Sequence, residues 1–199
     1  MIHLAIDAVG ARYGGSATER LDILHTVIDD PRIDKVTLFC SPPEKRLFDL
    51  PCSTKLIEAP QKLIDKYYVL RLLWYEYLLG MECKKIGADI LLIASNFGKA
   101  DFNLPHVTYV QQSLPFSQEA MNTLPTKDRF INRVRRTVMR RSCRKASRVI
   151  CQSSTMQNWL TEAFQLDPAR LTTIYTVPKS LPIEPLAKVF FGGLSTCNK

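Results

Sequence analysis

The sequence predicts an open α/β fold, a mostly parallel sheet with helices on both faces, on three observations. Apolar, strand-like runs alternate with segments of helical period along the chain. Most of those runs are apolar throughout rather than on alternate residues, the pattern of strands covered on both faces. Glycine, serine, asparagine or glutamine follow directly after several runs, where such sheets hold their ligands.

Taken in order, IHLAI (Ile2–Ile6) reads as a buried strand. SATERLDILHTVI (Ser16–Ile28) reads as a helix, with Leu21, Leu24 and Ile28 at helical spacing and Ser16 and Glu19 forming an S-x-x-E capping box. KVTLFC (Lys35–Cys40) is a second strand, followed by a loop marked by Pro42, Pro43 and Pro51. KLIEA (Lys55–Ala59) is a third strand. Residues Lys62–Ile86 read as one long helix with Leu63, Tyr67, Leu70, Trp74, Leu78 and Met81 along one side. ADILLIAS (Ala88–Ser95) and HVTYVQQ (His106–Gln112) are strands four and five. A Pro-containing loop then leads to a helix near Lys127–Ala146 and the strand RVICQS (Arg148–Ser153). SSTMQNWLTEAF (Ser153–Phe164) is a further helix and LTTIYTV (Leu171–Val177) a last strand. Strands alternating with helices in this way make an open sandwich of Rossmann type.

Composition narrows the class. With 199 residues, 46% of them hydrophobic and 23% charged, the chain suits a folded domain and not a disordered one. Residues 2–6 lack the basic flank and cleavage site of a secretory signal. The densest apolar stretch, Tyr67–Met81, carries Arg71 and Glu76 and falls short of a membrane span. The six cysteines (Cys40, Cys52, Cys83, Cys143, Cys151, Cys197) form no C-x-x-C pair. Reduced core thiols in the cytoplasm are therefore the expectation, with no metal site and no bound cofactor. His3, His25 and His106 are expected to be structural.

The net charge of +8 is concentrated in one place. RFINRVRRTVMRRSCRKASR (Arg129–Arg148) holds nine Lys/Arg and no acid, leaving 18 basic residues against 19 acidic ones elsewhere. Arg129, Arg133, Arg136, Arg140 and Arg144 recur every three or four residues as one cationic stripe, with Phe130, Val134 and Val138 on another face. Such a stripe suits an anionic membrane surface or a nucleic-acid backbone, or is a solvated face. The absence of a recognition motif disfavours nucleic acid.

The first strand-to-helix loop, Gly10–Ser16, reads G-x-x-x-G-G. The dinucleotide fingerprint needs G-x-G-x-x-G and an acid closing the second strand. Here that strand ends Phe39-Cys40-Ser41, while Asp29 and Asp30 end a helix. NAD is disfavoured, and no G-x-x-x-x-G-K-[ST] loop is present. What remains is Gly14, Gly15 and Ser16 at a helix start, suited to an anionic or oxygen-rich ligand, or else a tight turn that needs glycine. The other residues at strand ends are Asn96, Gln111, Gln112 and Ser153. A turn residue, a backbone-satisfied amide pair and a helix N-cap are the structural alternatives for these.

Five segments together resemble family 4 glycosyltransferases of the GT-B fold. They are GG-x-x-x-x-R-L after the first strand, RLLWYEYLLGMECKKIGADILLIASNFG (Arg71–Gly98), PHVTYVQQSLPFS (Pro105–Ser117), ASRVICQSSTMQNWL (Ala146–Leu160) and ARLTTIYTVP (Ala169–Pro178). The resemblance implies that residues 1–178 are the amino-terminal, acceptor-side domain of an enzyme that transfers sugar from a nucleotide-sugar to a glycan or lipid-linked acceptor. It implies that Gly14 and Gly15 let backbone approach the donor, and that Gln111 or Gln112 stands where many members carry a histidine. A glutamine there can hydrogen-bond a sugar hydroxyl but cannot titrate, so no catalytic residue is assigned. LAKVFFGGLSTCNK (Leu186–Lys199) resembles the first strand of the donor-binding domain, so residues 179–199 read as a linker and its opening, with no donor-binding E-x7-E segment following. The expectation is a truncated or split enzyme, inactive alone, completed by a second polypeptide and peripheral at the inner membrane face. The alternative is a non-catalytic module that binds a partner through its basic helix or interdomain face.

Overall fold

The computed structural model describes residues 2–9, 15–40, 55–60, 64, 68–96, 98 and 103–175. Seven strands form one sheet: β1 (Ile2–Asp7), β2 (Ile33–Cys40), β3 (Leu56–Pro60), β4 (Ile90–Ile93), β5 (His106–Val110), β6 (Arg148–Cys151) and β7 (Leu171–Thr173). Their order is β3-β2-β1-β4-β5-β6-β7, and every pairing is parallel. The expected mostly parallel Rossmann-like sheet is thus wholly parallel among the described residues.

The helices are α1 (Gly15–Asp29), α2 (Tyr68–Leu73), a π-helical turn (Trp74–Leu78), α3 (Leu79–Lys85), α4 (Gln118–Thr123), α5 (Thr126–Lys145) and α6 (Ser154–Phe164). Both faces of the sheet are covered because its strands are apolar on both sides. On one face Leu4, Ile6, Val36, Leu38 and Leu92 pack with Leu24 of α1. On the other, Ala5, Phe39, Leu91 and Ile93 pack with Trp74, Tyr75, Leu79 and Cys83. Farther along, Val110, Val149 and Cys151 meet Met139 and Cys143 of α5 and Met156, Leu160 and Phe164 of α6.

The single long helix expected over Lys62–Ile86 is corrected in its interior. Trp74 is buried, but Leu78 and Met81 are 43% and 52% exposed, and Leu79 and Cys83 are buried in their place. The π turn is the physical reason. Its wider turn takes up an extra residue, which shifts the inward face by one position beyond Trp74. Leu63 and Tyr67 of the expected stripe lie outside the described residues. The expected start of α1 also moves, since the helix begins at Gly15 and Ser16 lies inside its first turn.

Candidate functional site

In an all-parallel sheet the residues following every strand lie at one edge. Strand order reverses between β1 and β4, since the chain leaves β1 toward β2 and β4 toward β5. Loops leaving in opposite directions open a crevice at that point. Asp7 is the last residue of β1 at that point and is fully buried. Trp74 donates its Nε1–H to Asp7 Oδ1 at 3.0 Å, and Ser95 Oγ donates to Asp7 Oδ2 at 2.7 Å. Tyr75 donates its hydroxyl to the Val9 carbonyl at 3.0 Å. The π turn is what lets two consecutive residues, Trp74 and Tyr75, both reach the end of β1. Together they fix the backbone that enters the glycine loop. Burial, and secondarily the Asp7 charge, pushes the neighbouring Cys83 thiol up to about 12.

The second group sits beyond β4 and β5. Asn96 has φ of 73°, a left-handed conformation that asparagine tolerates better than most residues. Its Oδ1 accepts the backbone N–H of Gln111 at 2.6 Å and of Gln112 at 2.8 Å. One side chain thereby holds the amide pair at the strand end, and both glutamines remain half-buried. Gly98 donates its N–H to Ser142 Oγ at 3.1 Å, and a Cβ there would meet Ile93 Cδ1 at 2.7 Å. A side chain at position 98 would therefore require the terminal methyl of Ile93 to shift.

Of the residues expected at the site, the structure brings Asn96, Gln111 and Gln112 together. Ser153 follows the neighbouring strand β6, and its Oγ accepts the Met156 N–H at 3.2 Å as the N-cap of α6. Gly15 and Ser16 lie in the first turn of α1. Gly14 lies outside the described residues, as do residues 176–199. Among the described residues, no group of three or more His, Cys, Asp or Glu could hold a metal ion. His3 bridges the Gly87 carbonyl and Thr37 Oγ1, and His106 is buried.

The basic stripe on α5 is divided by its contacts. Arg129 donates to the carbonyls of Asn122 and Leu124, and Arg144 donates to the Phe164 carbonyl and to Gln165 Oε1. Arg148 donates to the Ala169 carbonyl, while Arg170 reaches the Cys143, Arg144 and Ala146 carbonyls at the end of α5, where a cation complements the helix dipole. Arg133, Arg136 and Arg140 are exposed and form no ion pair among the described residues. Arg136 lies 5.9 Å from the centroid of the Phe116 ring. The buried residues of α5 are Asn132, Met139, Ser142 and Cys143, and Phe130 stands 66% exposed.

A parallel sheet of this order, with polar residues at its carboxyl edge, invites comparison with known proteins. The family model for Glycosyltransferase Family 4 matches residues 32–177 of the 199. The chain belongs to glycosyltransferase family 4. Among curated proteins none matches it. Among solved structures, a lipopolysaccharide outer core galactosyltransferase in its apo form is similar, with a TM-score of 0.52 at 14% identity. That match covers 88% of this chain and 46% of the other. A UDP-GlcNAc 2-epimerase from Neisseria meningitidis, bound to UDP-GlcNAc, has a TM-score of 0.58 at 9% identity, covering 87% and 46% of the two chains. The corresponding epimerase from Methanocaldococcus jannaschii has a TM-score of 0.50 at 12% identity, covering 87% and 45%. At these identities the likeness is one of fold, and this family 4 chain spans about half the length of each of the three.

Sequence reasoning missed Asp7 and Tyr75, whereas Ser95 falls in the stretch Ser95–Gly98 that follows the fourth strand at the ligand edge. The signal for Asp7 was there: one acid closing an otherwise apolar strand, IHLAID, at the ligand edge. Trp74 was visible as part of R-x-x-W-x-E, and the structure supplies its partner. No helix among the described residues is long and apolar enough to cross a membrane.

Proposed function

We propose that residues 1–178 are the acceptor-side domain of a glycosyltransferase that moves a sugar from a nucleotide-sugar to a glycan or lipid-linked acceptor. The observation that carries this reading is the Asn96 clamp, which presents Gln111 and Gln112 at the carboxyl edge of a family 4 sheet. Amides held by their backbone can donate to and accept from sugar hydroxyls without reorganising. Gly14, Gly15 and Ser16 would meet the donor's phosphates or sugar from the adjacent loop, and Ser153 would stand at the rim.

Sugar transfer needs donor and acceptor oriented together in a cleft closed to water. Residues 1–199 would supply one wall, and a donor-side domain or second polypeptide the other. The isolated 199 residues are therefore expected to transfer no sugar and to bind nucleotide-sugars with Kd on the order of millimolar, about −4 kcal/mol. Calorimetric titration with UDP- and GDP-sugars tests this. Micromolar affinity, or turnover without a second polypeptide, would place the donor site within this chain.

A peripheral position at the inner membrane face is supported by Arg133, Arg136 and Arg140, which meet no carboxylate among the described residues. Each basic residue near an anionic leaflet contributes about 1 kcal/mol. Co-sedimentation with anionic liposomes should weaken steeply with salt and vanish when all three arginines are neutralised. Equal binding to neutral vesicles would refute the electrostatic anchor.

A further inference from the structure

A cavity of about 60 Å³ opens between the loop after β5 and the first half of α5, lined by Pro115, Gln118, Met121, Asn122, Arg129, Arg133 and Arg136. Three of its lining side chains are arginines, and none meets a carboxylate among the described residues. Like charges gathered around one hollow repel each other until an anion enters. Arg129 is held in place by the Asn122 and Leu124 carbonyls, while its Nε is buried with no acceptor among the described residues. A buried donor left unmatched is costly, so it marks a place where an acceptor is wanted. Gln118 donates its Nε2 to Asn122 Oδ1 at 3.2 Å, which turns the Asn122 amide so that its NH₂ stays available as a donor.

From these observations we infer that the cavity binds the oxyanion of a phosphate ester. Guanidinium groups match phosphate oxygens in bidentate fashion, and each polar side chain lining the cavity carries a donor. The volume suits one tetrahedral oxyanion and is far below the roughly 300 Å³ at which pockets for whole small molecules begin. A larger, open hollow of about 320 Å³ adjoins it and shares Arg136, lined also by Phe116, Trp159, Glu162 and Ala163. Phe116 and Trp159 stack there with centroids 6.3 Å apart, giving the organic part of the ester an apolar wall. The inference deepens the proposed function, resting on it for the assignment of the phosphate to the acceptor. The anion site itself stands on the cavity alone.

Inorganic phosphate, titrated into the full chain by calorimetry and followed by amide chemical shifts, is the direct probe. Saturable binding is expected in the millimolar range. Arg133→Gln with Arg136→Gln should weaken it about tenfold or more, the usual loss for charge-assisted hydrogen bonds. Arg140→Gln, on the same stripe but outside the cavity, should leave it within about twofold. Thermal unfolding midpoints matching the parent chain show that the variants fold. A second arm uses vesicles of phosphatidate in phosphatidylcholine. Displacement of bound phosphate by these vesicles assigns the oxyanion to a lipid headgroup, and its absence assigns it to a soluble ester, both with the pocket intact. Failure of phosphate to saturate, or an equal loss with Arg140→Gln, overturns the site. Since no nucleotide-sugar is present, that failure leaves the transferase reading standing, which falls only on its own titrations.

Discussion

The two halves of the sheet's carboxyl edge use their polar groups in opposite ways. Beyond β1 the polar atoms are turned on one another: Asp7 receives Trp74 and Ser95, and Val9 receives Tyr75. Beyond β5, Asn96 ties the backbone of Gln111 and Gln112, whose side chains are half-buried, and Arg133, Arg136 and Arg140 of α5 meet no carboxylate among the described residues. Buried polar groups must be satisfied internally or by a ligand. The first half is accordingly a scaffold that sets the shape of the crevice. The second is where the proposed ligand contacts lie, with exposed cations in place of a closed polar network.

Substitutions should separate the halves by stability. Asp7→Ala removes the acceptor of two buried hydrogen bonds, at about 1–3 kcal/mol each, so urea unfolding should show a loss of roughly 3 kcal/mol. Gln112→Ala should stay within about 0.5 kcal/mol in the same assay. If the two cost the same, the division into scaffold and binding surface is wrong. Asn96→Ala should follow at about 2 kcal/mol, combining a left-handed β-carbon with two unaccepted N–H groups. Asn96→Asp keeps the acceptor and should cost distinctly less.

Ser153→Ala removes only a helix cap and should cost about 1 kcal/mol, read as a shift in the unfolding midpoint. Both halves share one pH dependence. Burial raises the Cys83 and Cys143 thiols from 9.0 to about 12. Above pH 9 the unfolded chain then releases protons that the folded chain keeps, so stability falls as pH rises. Cys143→Ala should flatten that slope, whatever it does to stability at neutral pH. The smallest effect belongs to Arg133→Gln, within about 0.5 kcal/mol of the parent chain. A large loss would mean that the stripe is structural along its whole length.

Much of this was legible before the structure. Strands such as KVTLFC and HVTYVQQ announce themselves by being apolar throughout, because a parallel sheet buries both faces. Ser153 could be recognised as a cap because the rule is local. The reach of Arg144 to the Phe164 carbonyl spans 20 residues and has no local signature. The phase shift after Trp74 was hidden for a different reason: periodicity assumes 3.6 residues per turn, and WYEYL does not keep it. Asn96 read as a turn residue or a ligand contact. Its hold on two backbone amides depends on β4 and β5 being neighbours, which spacing alone does not state.

The place of β1 in the middle of the sheet also has a consequence in time. Its partner β2 lies close behind it in the chain, but Ser95 is 88 residues from Asp7. During synthesis at about 5–20 residues per second, some 3–10 seconds separate the completion of β2 from that of β4. Through that interval β1 has one partner and an open row of backbone donors and acceptors. Such an edge attracts other chains, so nascent fragments ending before Ile90 should bind chaperones more strongly than those extending past Val110. The strand at which the sheet order reverses is the one that waits longest for its second partner.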